Sequence, residues 1–324
     1  MAAKIGPQNY PRIEDENDKY RGFLDESLLS EHVHKIGTDE LKRIISEAIE
    51  YADIKTSQDY FKIPRGLSAT QRKRIYEKSG KELFTYFRRY CGDPAMTALQ
   101  CNNKHFSIIA KEQFRNVTLQ KMRMNSGWRY QHIAKNAALL SKRFLEVSDI
   151  GATEADFNAT IGIRQSHKKL YIYVSVKNRT NTMGGQDWPK AITVLETMAN
   201  SDRNRNGPYL CVFGIAMEKG NRLIKKSNKT KQPYSMNTEI WLSDFFWPFF
   251  SNYSFREIAQ AVLDVLVVQN VNGKLDVKIP KEMVEAFGSL CFKNGLTDYK
   301  GIFGDPHKLV EFFCGKKRVN EHYC

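Results

Sequence analysis

Three side chains near the middle of this 324-residue chain have the types and spacing that hydrolysis of a phosphodiester uses: Asp156, Ser175 and Lys177. Asp156 opens "DFNATIGI" (156–163), and the other two close "LYIYVSVK" (170–177). Period-two alternation in the first stretch puts Asp156, Asn158 and Thr160 on one face and Phe157, Ala159 and Ile161 on the other. In the second, Leu170, Ile172, Val174 and Val176 form an apolar side, and Tyr171, Tyr173, Ser175 and Lys177 share the opposite, polar side. A hairpin through the polar turn "RQSHKK" brings Asp156 near Ser175 and Lys177. An acid in such a set holds Mg²⁺, which polarises a phosphate and lowers the pKa of a bound water. A neighbouring lysine positions that water and stabilises the charge that develops on the phosphate.

The flanking segments read as the elements that must hold these residues. "YQHIAKNAALLSKRFLEV" places Ile133, Ala137, Leu140 and Phe144 at helical spacing. "WPKAITVLETMAN" is a helix with Pro189 in its first turn, and Asp187 just before it reads as its cap. "YLCVFGIAM" is a continuous apolar run, as in a strand buried on both faces. "EIWL" is a short strand and "SFREIAQAVLDVLVV" a helix. Helix, two paired strands, helix and buried strand make an α/β core. Upstream, residues 1–22 are polar and read as an arm. Residues 24–120 are mainly helical, with Thr38 as a cap, Leu41, Ile44, Ile45 and Ile49 as one apolar face, and a Lys/Arg-rich helix in "SATQRKRIYEKSGKELFTYFRRYCG".

Lys plus Arg number 50 against 36 acids, a net charge of +14, and such an excess favours polyanions, nucleic acid above all. The six cysteines include no Cys-x-x-Cys pair, so free thiols in a reducing compartment are expected rather than a zinc site. The most apolar patch, "WLSDFFWPFF" (241–250), is too short to span a bilayer. Without an apolar leader at the start, a cytoplasmic location with no membrane association is expected. No Walker or Gly-x-Gly-x-x-Gly pattern opens a helix after a strand, which sets nucleotide-dependent classes aside. His105, His132 and His167 are assigned no chemistry.

From about Ser126 to Leu242 the ordered set resembles the PD-(D/E)xK nuclease superfamily, many of whose members are type II restriction endonucleases. Asp156 in "EADFNA" matches the family's first acid, with Ala155 where a proline is usual, and Lys177 matches its lysine. Ser175 departs from the usual acid two residues before the lysine. A branch of the family has Ser-x-Lys there and takes the missing carboxylate from a Glu on the following helix. The resemblance therefore implies Asp156 and Glu196 as metal ligands, Ser175 and Lys177 beside them, and Asp187 as the competing second acid. "SGWRYQ" (126–131) resembles the start of that branch's preceding helix, with Gln131 in place of its acid as an outer ligand at most. No Arg-x-Asp-Arg segment follows Lys177, so the branch's CCGG-reading motif is not carried over.

The fold expected is α/β, a restriction-endonuclease-like core with a mixed central sheet flanked by helices, in three parts. Residues 1–125 form a helical region for recognition or dimerisation, 126–270 the catalytic core and 271–324 a helical closing segment. The function expected is Mg²⁺-dependent, sequence-specific cleavage of double-stranded DNA by a homodimer. Asn178, Arg179 and Asn181, Arg203 and Arg205, and Lys225 and Lys226 are the expected DNA contacts. A DNA-binding protein without catalysis, and a structure-specific repair or recombination nuclease, are the alternatives.

Overall fold

The computed structural model describes residues 10–30, 34–56, 66–89, 93–150, 155–164, 166–182, 188–268 and 279–314. The chain forms two compact units, one from residues 1–55 and 125–271, the other from 56–124 and 272–324. The chain passes between the units near residues 55, 125 and 271, so its parts combine differently from the three-part division. The first 55 residues belong with the sheet rather than with the helical region, and the closing segment folds with residues 56–124 instead of standing alone.

The first unit is a mixed α/β structure built on six strands: β1 (Glu146–Ser148), β2 (Phe157–Gly162), β3 (Lys169–Lys177), β4 (Tyr209–Ile215), β5 (Arg222–Leu223) and β6 (Thr238–Trp241). Their order is β1-β2-β3-β4-β6-β5. β1, β2 and β3 form an antiparallel meander, β4 runs parallel to β3, β6 runs parallel to β4, and β5 closes the edge antiparallel to β6. The helices of this unit are α1 (Thr38–Thr56), the second part of α4 (Phe106–Leu140), α5 (Trp188–Ser201), α6 (Ser243–Ser251) and α7 (Phe255–Val268).

Two apolar layers enclose the sheet. Phe157, Ile172, Val174, Val176, Val212 and Trp241 face Leu41, Ile44 and Ile45 of α1, Ile133 and Ala137 of α4, and the aromatic face of α6. Tyr173, Cys211, Phe213 and Ile240 face Trp188, Ile192, Leu195 and Ala199 of α5. The side of β3 that the alternation assigns to polar residues is therefore covered: Tyr173 is 0 % and Ser175 1 % exposed. The cause is topological, because joining parallel β3 to β4 requires a crossover and that crossover lays α5 on this face.

α6 emerges from the "WLSDFFWPFF" patch, with Pro248 inside it and Phe245, Phe246, Trp247, Phe249 and Phe250 all buried. Phe246 lies so close to β4 that a Cβ added at Gly214 would stand 2.2 Å from its ring. Gly214→Ala is expected to destabilise the protein by about 1–3 kcal/mol, read as a lower midpoint in urea. The polar opening segment is no free arm over its described part. Tyr10 Oη and the Leu24 amide both donate to Oε1 of Glu239 on β6, at 3.3 and 2.7 Å, and Trp241 Nε1 donates to Oε2 at 2.7 Å.

The second unit is helical: α2 (Ala69–Arg89), α3 (Pro94–Cys101), the first part of α4, α8 (Lys281–Lys293) and α9 (Pro306–Cys314). Ser68 and Gln71 cap α2 reciprocally, through Ser68 N to Gln71 Oε1 at 2.9 Å and Gln71 N to Ser68 Oγ at 3.2 Å. Asp93 caps α3 through the amides of Ala95 and Met96. Leu83, Phe84 and Phe87 of α2 pack with Met283, Phe287 and Cys291 of α8 and Leu309 of α9. α2 crosses α8 closely enough that a Cβ at Gly80 would lie 2.3 Å from the Met283 carbonyl oxygen.

Candidate active site

The residues with chemistry gather where β3 and β4 end side by side. The register pairs Ser175 with Phe213 and Lys177 with Ile215, and beyond it Ala216 N and Met217 N bond the carbonyls of Lys177 and Asn178 at 2.8 and 3.0 Å. Two parallel strands thus continue into a shared lip at their carboxyl ends, where open α/β sheets place ligands.

Asp156 sits at the start of β2, directly before Phe157, which pairs with Val174. Its amide bonds the Val174 carbonyl at 2.8 Å, and its Oδ2 accepts the Val176 amide at 2.5 Å, so the carboxylate continues the strand ladder past its last backbone pair. Burial pushes the Asp156 carboxyl above its ordinary range, while the Val176 amide and then the charge of Lys177 pull it back down. Lys177, at the end of β3, is half-buried. A half-buried carboxylate in the field of one ammonium is an arrangement common at functional sites. Ser175 is buried on the face under α5.

Glu196 does not join them. It is 5 % exposed, and its Oε1 accepts the hydroxyl of Thr238 on β6 at 2.6 Å and that of Ser235. β6 lies three places from β2 in the sheet, about 14 Å. Thr238 pairs with Cys211, which pairs with Tyr173, four residues short of Lys177 and about 13 Å along the strand. The expected stripe of Ile192, Glu196 and Ala199 does face the sheet, but at the wrong end of it for the metal role. Asp187 lies outside the described residues. Gln131 is half-buried on α4, about 140° around that helix from Ser126. Ser126 is the α4 residue that meets the end of β3, accepting the Asn178 side-chain amide at 2.7 Å.

The expected DNA contacts divide. Asn178 is held by Ser126, whereas Arg179 and Asn181 are exposed on the lip. Arg203 is exposed, but Arg205 is spent on structure: Nε and Nη1 bond the carbonyls of Ala199 and Gly207 at 3.0 and 2.8 Å, and the guanidinium lies 4.6 Å from the Tyr209 ring. Both belong to the turn that leads into β4, at the end of the sheet remote from Lys177. Arg205 is drawn to the end of α5 because the carbonyls of a helix's last turn need donors. Lys225 stands 5.7 Å from the ring of Trp188, and Lys226 is exposed in the same loop.

Sequence reasoning missed Glu218. Its Oε2 takes both the amide and the hydroxyl of Thr180, at 2.9 and 2.7 Å, and these bonds hold its carboxyl below the ordinary range. Its place directly after the buried strand, in "GIAMEKG", was the available signal. Among the described residues no three His, Cys, Asp or Glu side chains stand close enough to hold a metal ion. None of the described helices is long and apolar enough to cross a membrane. No protein-family model matches the chain, and no curated protein matches it either.

Proposed function

We propose that the sheet unit is the catalytic half of a Mg²⁺-dependent endonuclease acting on double-stranded DNA, with the restriction-endonuclease-like core that the sequence resemblance implies. The observation that carries this reading is the half-buried Asp156 carboxylate, held by the Val176 amide near Lys177 at the carboxyl end of β3. The element order supports it too: a helix, an antiparallel meander, a crossover helix and a parallel strand.

Mg²⁺ is commonly held by one or two carboxylates, with water and substrate phosphate completing its shell. Asp156 fits that minimum: Oδ2 is engaged by the Val176 amide, which leaves Oδ1 for a cation, and burial gives the carboxylate a deficit that a cation offsets. Glu196 does not fit. A bound Mg²⁺ would supply an activated water and neutralise phosphate charge. Lys177 directs its ammonium at the charge that develops on the scissile phosphate. The Asn178–Ser126 and Thr180–Glu218 bonds fix the lip, and Arg179 and Asn181 present donors to the duplex from it.

One such site cuts one strand, so cleavage of both strands at a symmetric sequence calls for two copies around a two-fold axis. Incubation of supercoiled plasmid with Mg²⁺, against EDTA, tests the proposal. Linear product in discrete fragments is expected, accumulation of nicked circles would argue for a single copy at work, and intact plasmid in Mg²⁺ would reject it. The shortage of carboxylates among the described residues of this corner favours one rival, a DNA-binding protein that has lost catalysis, and intact plasmid that is nevertheless bound is its signature.

A further inference from the structure

The net charge is segregated between the units. The helical unit, residues 56–124 and 272–324, has 23 lysines and arginines against 12 acids, a net +11. The sheet unit, although larger, has 27 against 24, a net +3. The polyanion affinity implied by the composition therefore resides outside the unit that carries Asp156 and Lys177.

Within the helical unit α2 concentrates that charge on one face. Arg74, Lys78, Lys81, Arg88 and Arg89, with Thr85 among them, recur at helical spacing and are all exposed. Gly80, Leu83 and Phe87 are buried on the opposite side. From Arg74 to Arg89 the stripe runs about 22 Å. Acids only flank it: Lys73–Glu77 and Lys78–Glu82 stand at 4.0 and 3.9 Å and are well exposed, which makes them weak partners. Among the described residues no acid is paired with Arg74, Lys81 or Arg89.

This arrangement works against the helix itself. Like charges at i, i+3 and i, i+4 repel, and Arg72, Lys73 and Arg74 crowd an N-terminal end that has no acid in its first turn, where the helix dipole disfavours cations. A local choice that opposes its own element marks a functional surface. The stripe's own side chains carry no ring, and Phe312 lies under the Arg88 guanidinium at 5.4 Å, so the stripe is poorly suited to stacking unpaired bases. A straight row of cations instead matches the regular phosphates of a duplex.

We propose that the outward face of α2 is a duplex-DNA docking surface, which grips the phosphate backbone without reading sequence and makes the helical unit the DNA-holding half of the protein. The choice of DNA rests on the nuclease reading, but the grip does not depend on catalysis.

The test is fluorescence anisotropy of the full chain with a 30-base-pair duplex (about three helical turns) in EDTA, so that binding is read whether or not the protein cuts. Each phosphate contact contributes about −0.9 to the slope of log K against log salt. Replacing Arg74, Lys78, Lys81, Arg88 and Arg89 together by Gln is expected to flatten that slope by about 4. The pair Arg74→Gln and Lys81→Gln should flatten it by about 2. Gln is a good helix former and relieves the repulsion, so thermal stability should hold or rise in both variants. A slope changed by less than about 1 in the pair, with the fold retained, would overturn the proposal. So would a larger flattening from Lys225, Lys226, Lys229 and Lys231 replaced by Gln, or a steeper slope on single-stranded RNA of equal length.

Discussion

Asp156→Asn and Lys177→Ala are each expected to lower cleavage of plasmid DNA by at least about a hundredfold, with duplex binding in EDTA largely intact. The two should part company in stability. The Asp156 carboxyl is raised above its ordinary value, chiefly by burial. Below the ordinary aspartate range both folded and unfolded chains hold the proton. As pH rises, the unfolded chain ionises first, and stability from this group falls until the folded carboxyl ionises as well. Asparagine removes that loss and keeps an oxygen for the Val176 amide. Asp156→Asn should therefore melt higher than the parent at pH 7, with the gap closing near pH 3. The same shift places the acid limb of the parent's cleavage profile above that of a freely exposed aspartate. An Asp156→Asn protein that cuts at the parent's rate would remove Asp156 from the site. A lower melting temperature at neutral pH would show the bond to Val176 to outweigh the cost of burying the charge.

Glu196 provides the second large effect, and its sign separates architecture from catalysis. Glu196→Ala deprives the buried hydroxyls of Thr238 and Ser235 of their acceptor, at about 1–3 kcal/mol for each group left unsatisfied. Glu196→Gln retains an acceptor oxygen, so it is expected to stay folded and to cleave within about threefold of the parent, since about 0.6 kcal/mol separates such rates. Chemical denaturation and plasmid cleavage on the two variants read both outcomes. A fully folded Glu196→Gln protein without activity would return Glu196 to the metal site. Glu196→Ala loses activity under either account once its fold fails, so Gln is the informative substitution.

Glu196 also shows how far the sequence reaches. The face it occupies on α5 was legible, because Ile192, Glu196 and Ala199 recur at helical spacing. Its level along the sheet was not, because nothing in the chain between Lys177 and Tyr209 fixes how far α5 runs back over the strands. Alternation in 170–177 sorted the residues of β3 into two sides correctly. It gave no sign that the side with Tyr173 and Ser175 would be roofed, since a tyrosine-rich face suits solvent and helix alike. α6 escaped notice for another reason: buried nearly all round, it has no polar stripe to betray a helical period. Asp156 beside Lys177 was readable because a hairpin enforces it locally. The bonds from Tyr10 and Leu24 to Glu239 join positions more than 200 residues apart, and no local pattern records them.

The close crossing of α2 and α8 at Gly80 and Met283 sets an order of events in time. Its partners lie about 200 positions apart, so the helical unit's core cannot close until residues near 290 have left the ribosome, at roughly 5–20 residues per second. Loop closure of that length also slows its folding. Every strand of the sheet, and the corner holding Asp156 and Lys177, is already complete by then. A newly made chain therefore completes its sheet unit first and its helical unit last. For the interval between, it is a nascent polypeptide with a finished sheet, whose α2 cations are already synthesised but not yet mounted on a closed helical core.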